Sequence, residues 1–359
     1  MKKILPLLLL LAITSLNAQQ IIDNGKTPQN KNAGRVLKLN EALRIDGDGD
    51  DYYYNGVLSM QIDTSGNIYL NDAWGSYEKS HLLKFSPKGK FLKDLYRQGE
   101  GPGEIQSFYR FVISDKKVYV YDYMKRKIIV MEKDGTFVKE FRTDSESNLE
   151  FIGIFEDWLV FSRKEYPFER KTTRLYDINH VIVFVSMDGE MEKDIYTFTN
   201  QLFVISSAQG GGMMNWDPFF ASIVNDKLYA CSSQEYLVEA LNLKTGQLTS
   251  RFKRTYKRIK HEMRDSEKKF ISKYSAPKRR FENDIKEFFY NGGYLWVKTS
   301  TVTEDKGQMF DVFYTNGRFL DSFFVNTKGR IVKIEDDFIY SSESDEDDLP
   351  FLMKYEIIK

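Results

Sequence analysis

A two-strand cassette recurs six times along the chain, and no other feature constrains the fold as tightly. In each copy a polar turn precedes an apolar or aromatic triplet that reads as a strand. The triplets are Ile68-Tyr69-Leu70, Val118-Tyr119-Val120, Trp158-Leu159-Val160, Leu228-Tyr229-Ala230, Leu295-Trp296-Val297 and Phe338-Ile339-Tyr340. Recurrence of a small run of strands at intervals of roughly 40 to 70 residues is the signature of a β-propeller. After each of the first five triplets comes a further strand, a Gly-bearing turn and a last strand. Lys133-Asp134-Gly135-Thr136 and Thr315-Asn316-Gly317-Arg318 typify the turns, their Gly supplying the positive φ that tight hairpins need.

Each blade therefore reads as four antiparallel strands, A to D, and the class as an all-β, six-bladed β-propeller. The sixth cassette has too few strands, because the chain ends after Leu352 to Ile358. An unassigned strand near the start, Arg35 to Leu39, is expected to complete it and close the ring. The expected blades are 56–97, 107–143, 149–200, 217–254, 284–326, and 329–359 with 34–40. A–B and C–D turns are short and share one face. The B–C and D–A connections share the other and are longer, which makes that face the place to look for function.

Composition narrows the partners. Lys and Arg total 52 against 52 Asp and Glu, so no global field favours nucleic acid. Lys2-Lys3, the apolar run Ile4 to Ile13 and Asn17-Ala18 before Gln19 read as a signal peptide over 1–18, with a flexible segment over 19–33. The apolar run is too short for a transmembrane segment, and no Cys near the cleavage site marks a lipoprotein. An exported monomer, periplasmic or extracellular, is the expectation. Cys231 is the only cysteine and reads as a small core hydrophobe. His81, His180 and His261 show no metal-ligand spacing.

The segment Lys84-Phe85-Ser86-Pro87-Lys88-Gly89-Lys90-Phe91-Leu92, followed by Arg97-Gln98-Gly99-Glu100-Gly101-Pro102-Gly103-Glu104, resembles the secreted six-bladed β-propeller family abundant in Bacteroidota. That family is related to NHL-type and TolB-like propellers. The resemblance implies the fold and export; it brings no catalytic residues with it.

Several stretches on the long-loop face are candidate sites, each with a structural alternative. The Gly99–Glu104 loop is either an inter-blade turn with Glu104 capping local amides, or a rim whose Arg97, Glu104 and Arg110 line the channel mouth. Asp46, Asp48 and Asp50 offer carboxylates suited to Ca²⁺, the one candidate cofactor; as an EF-hand the stretch fails, with Val57 at the twelfth position. The alternative is an acidic solvated turn. Tyr53 in Tyr52-Tyr53-Tyr54, Trp74, Tyr77, Tyr123 and Trp216, beside Asn215 and Asp217, suit saccharide binding, in which rings stack on sugars and polar groups take hydroxyls. Their alternative is to cover the blade tops.

Arg251 to Arg280 carries thirteen Lys or Arg against three acidic residues. It reads as a basic flap ending in Arg279 and Arg280, with a short helix within Glu262 to Tyr274, or as a solvated insert. Together these signals favour a binding module for a carbohydrate or envelope protein. The alternative is a channel-centred hydrolase or lyase acting on an anionic glycan or lactone.

Overall fold

The computed structural model describes residues 21–49, 51–72, 81–143, 149–166, 172–207, 210–215, 217–232 and 234–358. The strands form six antiparallel sheets arranged as the blades of one propeller, plus a small hairpin that pairs Asp48–Gly49 with Tyr52–Tyr53. Blade 1 comprises Ser59–Ile62, Ile68–Asp72, His81–Phe85 and Phe91–Asp94. Blade 2 comprises Phe111–Ile113, Lys117–Asp122, Lys127–Glu132 and Phe137–Arg142. Blade 3 begins with Leu149–Phe155 and Trp158–Glu165 and continues into two long strands, Arg174–Ser186 and Glu192–Ser207. Blade 4 holds Phe219–Val224, Lys227–Ser232, Leu237–Asn242 and Gln247–Lys253, and blade 5 holds Ile285–Asn291, Tyr294–Thr303, Gly307–Tyr314 and Phe319–Val325.

Blade 6 is closed from both ends of the chain. Arg330–Glu335, Phe338–Ser344 and Pro350–Ile358 supply strands A to C, and the N-terminal Lys38–Asp46 pairs antiparallel with Pro350–Ile358 as strand D. The completing strand thus lies a few residues later than the expected 34–40. Residues 21–37, whose first part reads as a flexible lead, run along the outside of the ring instead. Ile21–Asp23 adds in parallel to the outer strand of blade 4, and Arg35–Val36 adds in parallel to that of blade 5. Between them Asn24 bonds Lys253 and Gly317, while Asn30 and Arg35 both hold Asp321.

Strand periodicity explains how the blades stack. Alternate side chains face opposite sides of a sheet, so each blade feeds two cores. Ile68 and Leu70 pack with blade 6, whereas Tyr69 packs with blade 2. Val118 and Val120 face blade 1 while Tyr119 faces blade 3, and Leu295 and Val297 face blade 4 while Trp296 faces blade 6. Each of the six blade–blade interfaces holds one buried apolar cluster in this way.

The same rule corrects the cassette alignment. In blade 3 it is Leu159 that faces the preceding blade and Val160 the next, and in blade 6 Ile339 and Tyr340 take those roles. The equivalent triplets are therefore Leu159-Val160-Phe161 and Ile339-Tyr340-Ser341, each one residue later than the reading from sequence. A slip of one residue reverses the faces of the whole strand. With that shift, the central position holds an aromatic residue in five blades and Val160 in blade 3. Two of these rings also tie down the next blade: Tyr229 donates to the Thr315 carbonyl at 2.7 Å, and the Tyr119 hydroxyl meets the Met187 sulfur at 3.4 Å.

Candidate functional site at the channel mouth

The six A strands line a central channel of about 570 Å³. At the long-loop end, charged residues stand at or near the start of these strands: Arg110 in blade 2, Glu150 in blade 3, Glu287 in blade 5 and Arg330 in blade 6. Glu150 lies between two cations, 4.0 Å from Arg110 and 3.6 Å from Lys164. Glu287 lies 3.7 Å from Lys298. Burial raises the Glu287 pKa, opposed by the charges of Lys298, Arg330 and Arg110. The Lys298 pKa is lowered by burial, opposed by Glu287. Arg330 is held by the carbonyls of Val57 and Leu58, which orients its guanidinium against the blade 1 entry.

Beside the channel, between blades 2 and 3, opens a cleft of about 340 Å³ lined by Tyr109, Tyr121, Tyr123, Tyr166, Arg110 and Lys164, among others. Tyr109 and Tyr123 stack with ring centres 4.5 Å apart and planes within 2°. Ser107 donates to the Tyr123 hydroxyl at 2.8 Å, and Asn71 donates to the Tyr109 carbonyl at 2.8 Å. Tyr109 nonetheless keeps 51% of its surface exposed. It is a supported aromatic platform, and Arg110 and Glu150 belong to both cleft and channel.

A buried polar array lies in the channel wall. The Ser162 hydroxyl faces His180 Nδ1 at 3.0 Å, and both residues are buried. His180 stacks on Phe219, with Asn200 beside the ring. Asn200 in turn donates to the Asp217 carbonyl at 2.5 Å. Burial, with help from the nearby Lys164 charge, lowers the His180 pKa to about 4, so the imidazole is neutral at pH 7. A neutral ring next to a serine hydroxyl can accept its hydrogen bond, the geometry of a nucleophile–base pair, but a pKa near 4 makes this imidazole a weak base. The two residues meet on neighbouring strands of one blade rather than across blades.

Above this face stands a canopy. The long strands of blade 3 run past the ring and are joined by Gly210–Asn215, which pairs back on Glu192–Ser207. The insert between blades 4 and 5 contributes helix α1, Asp265–Tyr274, within the span expected to be helical. Asp265 and Glu267 in its first turn and Lys273 in its last complement the helix dipole. Phe270, Ile271 and Tyr274 pack on Phe203, Ile205 and Ala276, fastening the insert to the blade 3 extension. His261 clamps its base, with Nδ1 2.5 Å from Glu282 and Nε2 2.8 Å from Glu267. Burial opposes the charge on His261, but the hydrogen bonds and charges of Glu282 and Glu267 outweigh it and raise the pKa.

The residues singled out from sequence scatter. Arg110 lines the mouth. Glu104 turns into its own loop, accepting from the Gly101 amide at 2.8 Å, and Gly103 lies so close to Phe137 of the outer blade 2 strand that a Cβ would meet its ring at 2.7 Å. Glu104 thus acts as a local cap, and neither it nor the exposed Arg97 is among the residues lining the channel. Tyr53 is 46% exposed and bonds Asn55, whereas Tyr54 is core and Tyr52 packs on Phe85 and Phe91. Asp217 is buried and accepts from the Gln234 amide. Asp46 pairs with Arg44 at 2.5 Å, Asp48 sits in the small hairpin, and no group of three or more His, Cys, Asp or Glu placed to hold a metal ion occurs among the described residues.

Arg280 is exposed on the insert, and its carbonyl pairs with the His261 amide; Arg279 beside it is half-buried. Asn215 ends the added strand of blade 3. Trp74, Tyr77, Trp216 and Asp50 lie outside the described residues. Cys231 is buried, and burial pushes its thiol pKa up, as suits a core hydrophobe.

The mouth residues missed from sequence, Glu150, Glu287 and Arg330, share a simple signal with Arg110. Arg110-Phe111, Glu150-Phe151, Glu287-Phe288 and Arg330-Ile331 each set a charge directly before an apolar A-strand residue. Among the described residues, no helix is long and apolar enough to cross a membrane.

Comparison with known proteins agrees with the architecture. The model of a family described as a 6-bladed beta-propeller, DUF5128, matches residues 50–284. A Bacteroides fragilis protein described as a candidate exported protein superposes with a TM-score of 0.56 at 15% identity, covering 95% of this chain and 100% of its own. A member of the DUF4221 family from Bacteroides vulgatus superposes with a TM-score of 0.55 at 12% identity, covering 90% and 99%. At these identities the likeness is one of fold. A search of curated proteins finds no match.

Proposed function

The chain belongs to the DUF5128 family of six-bladed β-propellers, and on that premise we propose that it is an exported saccharide-binding module. Its ligand site is the mouth of the channel between blades 2 and 3. The observation that carries this reading is the platform of Tyr109 on Tyr123, which opens beside Arg110, Glu150 and Lys164. An exposed ring takes the apolar face of a sugar, and charged groups around it take hydroxyls. The volumes of the cleft and channel fall in the range of small-ligand sites. Export rests on the Lys2-Lys3 and Ile4–Ile13 leader and on the fold's likeness to a candidate exported protein.

The test is a glycan screen followed by titration of Tyr109→Ala. Loss of the platform should weaken binding roughly tenfold, about 1.4 kcal/mol. Unchanged affinity would remove the cleft from the account.

A second reading, a channel-centred hydrolase, has the Ser162–His180 contact in its favour. A fluorophosphonate that labels the wild type but not Ser162→Ala would support it. No labelling above that of Ser162→Ala would leave the contact as a buried hydrogen bond.

A further inference from the structure

We propose that the mouth selects an anionic saccharide, with the acid group drawn to Arg110 and Lys164; this rests on the saccharide reading above. The argument starts from the geometry of the ion pairs. Two largely buried charge pairs elsewhere in the fold are closed: Arg254 to Asp311 is 2.6 Å and Lys127 to Glu140 is 2.8 Å, the lengths of charge-assisted hydrogen bonds. At the mouth the three pairs among the described residues are open, at 4.0, 3.6 and 3.7 Å for Arg110–Glu150, Lys164–Glu150 and Lys298–Glu287. Glu150 thus sits between two cations without closing on either.

The count has the same sign. Among the described residues, four cations (Arg110, Lys164, Lys298, Arg330) face two carboxylates, Glu150 and Glu287. Lys333 deeper in the channel adds a further positive charge, which Glu335 approaches at 3.7 Å. A recess of one predominant sign between low-dielectric walls focuses the field and raises the local concentration of opposite charge. The exposures of Arg110 and Glu150, 48% and 42%, leave room for an incoming carboxylate or sulfate to bond the guanidinium while its sugar ring lies on Tyr109. The basic insert leans the same way: Lys257, Lys260, Lys269 and Lys278 are exposed on it. A neutral sugar would use the platform and hydrogen-bond these groups through its hydroxyls, but would form no ion pair with them.

The experiment is calorimetric titration of the full mature chain with trigalacturonate, its fully methyl-esterified counterpart and a sulfated oligosaccharide of similar length, at low and high salt. At least one acid should bind about tenfold tighter than the neutral ester at low salt, the advantage shrinking as salt screens it. Arg110→Gln should abolish that advantage by weakening the acid far more than the ester, and Lys164→Gln should reduce it. Thermal melting of each variant checks that it folds. Equal or tighter binding of the ester overturns the inference, as does an acid preference that survives Arg110→Gln. In those cases weaker binding of every ligand by Tyr109→Ala would keep the saccharide reading intact. Binding of none of the three, with no hit in the wider glycan screen, would overturn both.

Discussion

At the scale of single residues, His180 reports most directly on the channel wall. Its imidazole stays neutral in the fold down to about pH 4, whereas in the unfolded chain it takes a proton near pH 6.5. Between those values the unfolded state binds the extra proton, so stability falls as pH drops from 6.5 to about 4, by up to about 1.4 kcal/mol per pH unit for this site. His180→Gln should flatten that part of the melting temperature profile relative to wild type. If the two profiles stay parallel, His180 is not buried neutral.

His261 has the opposite sign. Glu282 and Glu267 raise its pKa, so its contribution is complete below the unfolded value and is lost as pH rises through the folded one. Hydrogen exchange in Asp265–Tyr274 should therefore quicken as pH rises from 6 to 8, beyond the intrinsic base-catalysed rate. His261→Ala should remove that excess pH dependence.

Among the elements, the N-terminal strap and the canopy set what can be read in advance. The completing strand of blade 6 was legible because a sixth cassette short of a strand and a spare apolar run imply each other. The strap on blades 4 and 5 was not, since Ile21-Ile22 is too short to read as a strand and gains its partners only from Arg251 and Phe252 far along the chain. A chain beginning at Arg35 should keep a closed ring but melt several degrees lower, having uncovered the outer edge of blade 4. A chain beginning at Gly47 should lose cooperative melting, because Pro350–Ile358 is left without its outer partner. Equal melting of the full chain and the shorter truncation would show that the strap adds no stability.

The helix in the insert was legible from Met263, Phe270 and Ile271 at helical spacing, although it begins only at Asp265, after Met263. The blade 3 extension was not: Gly210-Gly211-Gly212 carries no strand preference, and only pairing with Ile205 and Ser206 makes it one.

For the whole molecule, repetition made the ring readable and position within the ring made the site unreadable. The aromatic column at Tyr69, Tyr119, Tyr229, Trp296 and Tyr340 recurs because every blade meets the next in the same way. Arg110, Glu150, Glu287 and Arg330 come together only after closure, and their spacings along the chain have no meaning until the axis exists. Of the sequence candidates among the described residues, Arg110 alone lines the channel and Tyr123 joins the cleft beside it; Glu104 and Asp217 were chemically apt residues drawn into holding loops.

The central claim is that the mouth between blades 2 and 3 is a saccharide site. It is tested most directly by a crystal structure of the protein soaked with the tightest glycan from the screen. The account predicts a sugar ring stacked on Tyr109, with an acid group on Arg110 or Lys164. A glycan bound away from Tyr109 and Arg110, for instance on the outer edges of the blades, would contradict it.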